Sequence, residues 1–437
     1  MLTRIRLRGY KSFADATLDG AGPMTVIFGP NDAGKSNLLD ATALLSELAE
    51  VDSLKKAFDS RNHRGRILEA FHSPQGFGSG AMEELQERGF AELEIEVDIR
   101  LREGLVEELN DSLEERERIA GTKRPFTRVS ETYLRYRLQL RYDYASGEPF
   151  VRDEALIPLT VAGEPKNPRA RKPFIEYDGR RRRFVVRVER QSSPRYYDVN
   201  RNRTLLSEIS DPVYHPHIIA AKQEIRSWRS YYVEPSLMRR EIGVHGADDP
   251  GRHGEELAAF YWKLKHEHPA RFRAVQLNLR SLIPSLQGID IREVLGNLDP
   301  VIVKLGGGEF PFRLASEGTL RLLCLLGIAV APHPPSVVAY EEPENGVQPS
   351  RLDILAHILR STADKGRTQL IITSHSPTFL DRVRTARFFS CRRDDNGNSV
   401  FRPHDEKDKT FENDLQGDEA EIEGLTPLAD RVARGAF

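Results

Sequence analysis

Gly29-Pro30-Asn31-Asp32-Ala33-Gly34-Lys35-Ser36 is the stretch from which the rest of the chain can be read. It matches G-x-x-x-x-G-K-[ST] in full. Before it, Met24-Thr25-Val26-Ile27-Phe28 is an apolar run of strand length. After it, Leu38, Leu39, Ala43, Leu44 and Leu45 recur at helical spacing. Strand, glycine-bearing loop and helix together make a cradle for a polyphosphate. Gly29 and Gly34 permit backbone angles that aim successive N–H groups inward, and the helix N-terminus adds its partial positive charge. Lys35 is placed to bridge the β- and γ-phosphates, and the Ser36 hydroxyl to ligate a metal. The expected ligand along Gly29 to Asn37 is therefore ATP with Mg2+.

The partner motifs of such a loop lie far away in sequence. Ser336-Val337-Val338-Ala339-Tyr340-Glu341-Glu342-Pro343-Glu344-Asn345 is an apolar strand ending in carboxylates. Beside a phosphate loop, Glu341 is expected to hold the metal and Glu342 to act as base or orienter for an attacking water. A strand that merely ends in solvated acids is the plainer alternative. Gln369-Leu370-Ile371-Ile372-Thr373-Ser374-His375 is a second buried strand with a polar tip, where the His375 imidazole can hydrogen-bond a γ-phosphate. A structural histidine is the competing reading. Upstream, Ser316 suits an N-cap, with Glu317 and Gly318 in the first turn of an apolar helix. That segment is either a capped helix and nothing more or an anion-binding helix start. Since the chain already has a phosphate loop, the second anion site is expected to act on the nucleotide of another subunit.

The bulk numbers are compatible with this. A chain of 437 residues, 39% hydrophobic and 30% charged, has material for a real core and for two or three domains, or one with an insertion. The net charge of -2 excludes nothing by itself. Cys324, in an apolar run, and Cys391 are too few for a disulfide framework or a zinc cluster, which suits a reducing cytoplasm. No stretch approaches the roughly 20 apolar residues that span a bilayer, and the first residues alternate like a strand rather than forming a signal peptide. The expectation is a cytoplasmic protein with no membrane contact.

Clear alternation marks strands over Leu2 to Leu7, Ala91 to Ile99 and Tyr133 to Tyr142. Residues 50 to 90 are poorly periodic, with a loop-like Gly/Ser/Pro patch from Ser73 to Gly80. Between Lys166 and Arg203 the chain is dense in arginine, with only Glu176, Asp178, Glu189 and Asp198 as acids. A hairpin is expected there, turning at Asp178-Gly179, with Arg181 and Arg183 on one face and Arg180 and Arg182 on the other. Residues 206 to 282 read as mostly helical, and strand signals resume near Ile291 and Val301. The expected fold is α/β, mixed sheets around a P-loop core. Its expected parts are an N-terminal segment 1–165, a basic hairpin and helical insertion 166–290, a second core segment 291–390 and an acidic tail 391–437.

Taken in order, these motifs resemble the ABC-type ATPase heads of the RecF/SMC class, and in particular the coiled-coil-free ATPases related to the OLD (overcoming lysogenization defect) family. Gly9-Tyr10-Lys11-Ser12-Phe13 resembles that class's opening, and Ala315-Ser316-Glu317-Gly318-Thr319 its signature motif. Glu341-Glu342-Pro343-Glu344-Asn345-Gly346 resembles its Walker B and D-loop, and Thr373-Ser374-His375-Ser376-Pro377 its switch histidine. The likeness is strong over residues 1–50 and 310–385 and weak between. It implies ATP sandwiched between the phosphate loop of one protomer and Ser316 of another, so that binding closes a homodimer, or a higher homo-oligomer, and hydrolysis opens it. Gln75 is the candidate for the family's Q-loop residue. In OLD enzymes a TOPRIM nuclease follows the ATPase; here only residues 376 to 437 follow His375, so the resemblance points to split systems whose nuclease or other effector is a separate chain.

The functional expectation is an ATPase switch for a nucleic-acid-directed or effector complex, in anti-phage defence or DNA repair. The arginines of 166–203 favour phosphate contacts with DNA or RNA; a solvated hairpin or an acidic protein partner competes with that. Rival functions are a scaffold in which ATP holds an effector with little turnover, a transporter's nucleotide-binding subunit and a P-loop kinase. Against the transporter stand the Lys11-Ser12-Phe13 opening, the degenerate signature and the basic insertion. Against the kinase stands the absence of any acceptor-site signal.

Overall fold

Strict alternation of apolar and charged residues builds the largest element of the chain, an eight-stranded antiparallel sheet. A computed structural model describes residues 1–61, 67–72, 87–122, 125–189, 191 and 193–404. The strands are β1 (Leu2–Tyr10), β2 (Phe13–Asp19), β4 (Phe90–Arg100), β5 (Tyr133–Asp143), β6 (Glu148–Pro158), β7 (Ile175–Asp178), β8 (Arg183–Val186) and β9 (Arg195–Tyr197), in the order β2-β1-β4-β5-β6-β7-β8-β9. In β4, Leu93, Ile95, Val97 and Ile99 are buried. The charged residues between them meet opposite charges across the ladder. Arg135 grips Asp98 at 2.6 and 2.7 Å, Arg4 reaches Glu96 at 2.6 Å and Arg137 reaches Asp153 at 2.8 Å. Much of the chain's high charge content is spent on this sheet's polar face.

The chain divides into two compact units, the first comprising Met1–Gly22, Asn31–Trp228 and Phe389–Pro403. Besides the sheet it holds helices α1 (Lys35–Leu48), α2 (Leu54–Arg61), α3 (Glu103–Ala120) and α4 (Pro216–Arg226), and most of the strands β17 (Arg387–Arg393) and β18 (Ser399–His404). Ser46 ties α1 to the end of α4 by donating to the carbonyls of Arg226 (3.2 Å) and Trp228 (3.1 Å). The long helix α3 and strand β6 were not foreseen from sequence. Only Leu109 and Leu113 are buried in α3, so its periodic signal is faint. The stretch expected as an acidic tail begins instead with β17 and β18 around an Asp394–Asn398 turn, because the Asp394 carboxylate accepts from the N–H groups of Asn396 (2.9 Å) and Asn398 (2.7 Å). Residues 405–437 of that tail, Gln75 and the patch from Ser73 to Gly80 lie outside the described residues.

The second unit comprises Pro23–Pro30 and Arg229–Phe388, with His404. Its centre is a parallel sheet in which β10 (Arg229–Tyr231), β15 (Val337–Glu341), β16 (Gln369–Ser374) and β3 (Met24–Phe28) lie side by side. Strands of a parallel sheet covered on both faces read as unbroken apolar runs, and every residue of β3 and β16 is buried. Helices α5 (Leu257–Glu267), α6 (Pro269–Leu282), α7 (Glu317–Val330) and α8 (Leu352–Asp364) join this sheet in one apolar core. A smaller antiparallel sheet of β11 (Ile242–Gly243), β12 (Leu286–Val294), β13 (Asn297–Lys304) and β14 (Glu309–Pro311) belongs to the same unit. The helical reading of 206–282 holds for its long segments but misses β10 and β11, which are too short to show periodicity.

Candidate functional site

The register of the parallel sheet decides what stands together. Phe28 pairs with Ser374 and Glu341 with Thr373, so β3, β16 and β15 end on one edge. From that edge three segments leave: Gly29 at the start of the phosphate loop, the Glu342–Gly346 loop, and His375. Ligands of open α/β sheets bind at such carboxyl ends.

The phosphate loop has the strained backbone that its glycines allow. Gly29 lies at φ 151, Asp32 at φ 66 and Gly34 at φ 106. Pro30, Asn31 and Asp32 are exposed while Gly29, Ala33, Gly34 and Lys35 are buried. A Cβ on Gly34 would stand 2.2 Å from the Ser399 hydroxyl and 2.7 Å from that of Ser12, so no other residue fits. Gly34 is the N-cap of α1, provides no side-chain cap, and no acid occupies the first turn. Lys35 is only 6% exposed, and the Ser36 hydroxyl stands on an exposed residue of the same turn. An uncapped helix start with a buried lysine suits an anion of high charge such as a triphosphate.

The loop is braced by Ser12, Asn37 and Cys391 and by two residues that the sequence did not single out, Ser399 and Arg393. Ser399 Oγ donates to the Ala33 carbonyl at 2.5 Å and contacts Ser12 Oγ at 2.8 Å, and Asn37 donates to that same Ser12 oxygen at 2.8 Å. Arg393 donates to the Asp32 carbonyl at 3.0 Å, and the Cys391 thiol to the Ala33 carbonyl at 3.2 Å. Burial pushes that thiol up to about 12, so it is a neutral donor. The Gly9–Phe13 segment is thus explained: β1 runs through Tyr10, β2 opens at Phe13, and the turn between them presents Ser12 to the loop, while Tyr10 donates to Asp40 of α1 at 3.0 Å. Cys324, fully buried in α7, is the small hydrophobe that the sequence suggested.

At the tip of β15 the two expected carboxylates part company. Glu341 still lies in the strand, opposite Thr373. Glu342 turns into the left-handed region at φ 48, held by its N–H to the Thr373 carbonyl at 3.0 Å. This conformation is uncommon for a residue with a Cβ and tends to sit at functional sites. It brings the Glu342 carboxylate against His375 Nδ1. Glu344, quoted in the motif but given no role, is the most buried of the acids at 6% exposure and takes a hydrogen bond from Ser374 Oγ. One carboxylate oxygen each from Glu342 and Glu344 and a ring nitrogen of His375 lie within 4.8 Å of one another.

Ser316 is the N-cap of α7, as expected, accepting from the Thr319 N–H at 3.3 Å, and both Ser316 and Glu317 are exposed. Gly318 has a role that the sequence could not disclose. A Cβ there would stand 2.0 Å from the Gly346 carbonyl oxygen, so the helix start is pressed against the loop that carries Glu342 and Glu344.

The basic stretch is largely neutralised. Lys166 pairs with Glu131, Arg171 with Glu189, Arg181 with Asp178, Arg187 with Glu176 and Arg201 with Glu208. The expected sharing of faces by Arg180 to Arg183 is corrected. The turn takes in residues 179–182, with Arg182 at φ 52, so only Arg183 stands in a strand and Arg180 and Arg182 project from the tip. Asp178 stabilises this wider turn by accepting from the N–H of Arg180 at 3.0 Å.

Residues 266–381 match the family described as "AAA domain, putative AbiEii toxin, Type IV TA system", and residues 4–47 match that described as "AAA domain". No curated protein matches the chain. Among solved structures it is similar to an SMC head bound to the C-winged helix domain of ScpA. That match has 14% identity and a TM-score of 0.51, and covers 93% of this chain and 98% of that one. The SMC head domain from Thermotoga maritima is a further neighbour, at 12% identity and TM-score 0.40 over 92% and 99% of the two chains. At this identity the likeness concerns fold alone: the chain has the α/β fold of a P-loop NTPase with an ABC-type head. A nucleotide with Mg2+ is the ligand that such a fold implies, and the phosphate loop's geometry fits it.

Proposed function

We propose that the chain binds ATP with Mg2+ and hydrolyses it, and that two copies close around the nucleotide. Lys35 and Ser36 of one copy take phosphate and metal, Glu341 helps to hold the metal, and Glu342 activates water. Ser316 of the other copy, with Glu317 and Gly318, meets the γ-phosphate. The observation that carries this reading is the shared edge of β3, β15 and β16, where the strand feeding the phosphate loop ends beside the Glu342–His375 pair. A base in contact with an imidazole is suited to take a proton from water and to register a neighbouring phosphate. The exposure of Ser316 at a helix start supports a role toward a second molecule. The family description over residues 266–381 names a toxin and a type IV toxin–antitoxin system, which supports a role in defence over a housekeeping one; a separate effector of the split OLD-related kind is the form of that role which the sequence resemblance implies. Arg180 and Arg182 at the hairpin tip are the groups through which DNA or RNA would be touched.

Glu342→Gln tests the core of this. The variant is expected to bind ATP, to release phosphate at a rate reduced by about a hundredfold or more, and to elute as a dimer in ATP. Turnover at the wild-type rate removes Glu342 from the chemistry.

A further inference from the structure

One oxygen atom at the tip of β15 is unaccounted for by that scheme. Glu344 Oε2 is buried and has no hydrogen-bond partner among the described residues, whereas Glu342 Oε2 stands against His375 Nδ1. Buried polar atoms are rarely left so, and each orphan calls for an explanation. The first oxygen of Glu344 is already engaged. Ser374 Oγ accepts from the Ser376 N–H at 3.0 Å and so spends its own hydrogen on Glu344 Oε1. The groups that face Glu344 are Glu342 from its own loop and Ser374 and His375 from the end of β16.

Two carboxylates that close cannot both be ionised cheaply, whereas a proton on Glu344 Oε2 turns that orphaned oxygen into a donor. We infer that Glu344 is a positioning residue for ATP hydrolysis: a neutral carboxylic acid, anchored by Ser374, whose second oxygen donates to Glu342 and fixes that carboxylate against His375. Burial raises the Glu344 carboxyl well above the usual carboxylate range; the Ser374 hydrogen bond opposes this and the charge of Glu342 adds to it. In the reaction the water oxygen bonds to the γ-phosphorus, the bond to the bridging oxygen breaks and ADP leaves, and the water's proton goes to Glu342. Glu344 keeps its own proton throughout. The left-handed turn at Glu342 explains why such an anchor is needed, since a strained backbone alone does not aim its side chain.

The inference rests on Glu342 being the base, and the experiment separates the two. Steady-state phosphate release by the full chain is measured between pH 6 and pH 9 for wild type, Glu342→Gln, Glu344→Gln and Glu344→Ala. Gln preserves a neutral donor, so Glu344→Gln is expected to stay within about threefold of the wild-type kcat at pH 7 and to lose the alkaline fall in rate expected of wild type. Glu344→Ala is expected to lose about tenfold or more in kcat with KM for ATP unchanged. A Glu344→Gln variant that is inactive, as it would be if an ionised ligand for a divalent cation were required, overturns the inference. So does one that keeps the alkaline fall. Wild-type turnover by Glu344→Ala overturns it as well, while active Glu342→Gln instead removes the reading beneath it.

Discussion

Gly318 and Gly104 occupy the same position, the second residue of a helix, one in α7 and the other in α3. Alanine is the better helix former by up to about 1 kcal/mol, so propensity by itself makes Gly→Ala stabilising at both. Packing separates them. A Cβ on Gly104 meets nothing within 4 Å, whereas one on Gly318 stands 2.0 Å from the Gly346 oxygen and 2.9 Å from its carbonyl carbon. Both obstacles are backbone, and the loop is pinned by the Val347 N–H to the Glu344 carbonyl at 2.9 Å, so no side chain can swing aside. Overpacking of this kind costs about 1–3 kcal/mol, which exceeds the gain in propensity. Gly318→Ala is therefore expected to be less stable than wild type and Gly104→Ala more stable than wild type, a gap of roughly 1–3 kcal/mol between them in urea unfolding. Because the displaced loop carries Glu342 and Glu344, ATP turnover is expected to fall in Gly318→Ala and not in Gly104→Ala. Equal stability of the two variants, with equal turnover, would refute the claim that the glycine contact sets the position of this loop.

Two further outcomes follow from the structure. Glu154 is wholly buried beneath the 205–208 turn, where it accepts from the N–H groups of Leu205 (2.6 Å) and Leu206 (2.9 Å) and from the Tyr136 hydroxyl (3.0 Å), and burial raises its carboxyl from 4.5 to about 7. Between those values the folded chain keeps a proton that the unfolded chain has released, so this group's contribution declines as pH rises through that window and is flat above it. The advantage of wild type over Glu154→Gln in urea unfolding is expected to be largest near pH 5 and to shrink by on the order of 3 kcal/mol by pH 8; a constant difference contradicts this. At the hairpin tip, Arg180→Glu with Arg182→Glu is expected to weaken nucleic-acid binding and to flatten its salt dependence, leaving ATP turnover without nucleic acid unchanged. Binding of DNA and RNA that is equally weak before and after the change would leave that turn a solvated one.

Read alone, the residues settle what is local. The phosphate loop is legible because Gly29, Gly34, Lys35 and Ser36 act through backbone angles and a helix start that lie within one short string, and β4 and β5 because alternation is a property of neighbours in sequence. Ser316 as a cap falls in the same class. What stayed hidden depends on register and on approach between distant segments. Glu344 stands in plain view in its motif, yet its orphaned oxygen exists only because β15 and β16 run parallel with Glu341 opposite Thr373. The bracing of Gly34 by Ser12 and Ser399 joins both ends of the described chain. The arginines of 166–203 looked like a phosphate-binding surface until folding matched several of them, Arg171 and Arg187 included, to carboxylates. Composition counts charges, but only a folded sheet places them within reach of each other, and Coulomb energy depends on that distance.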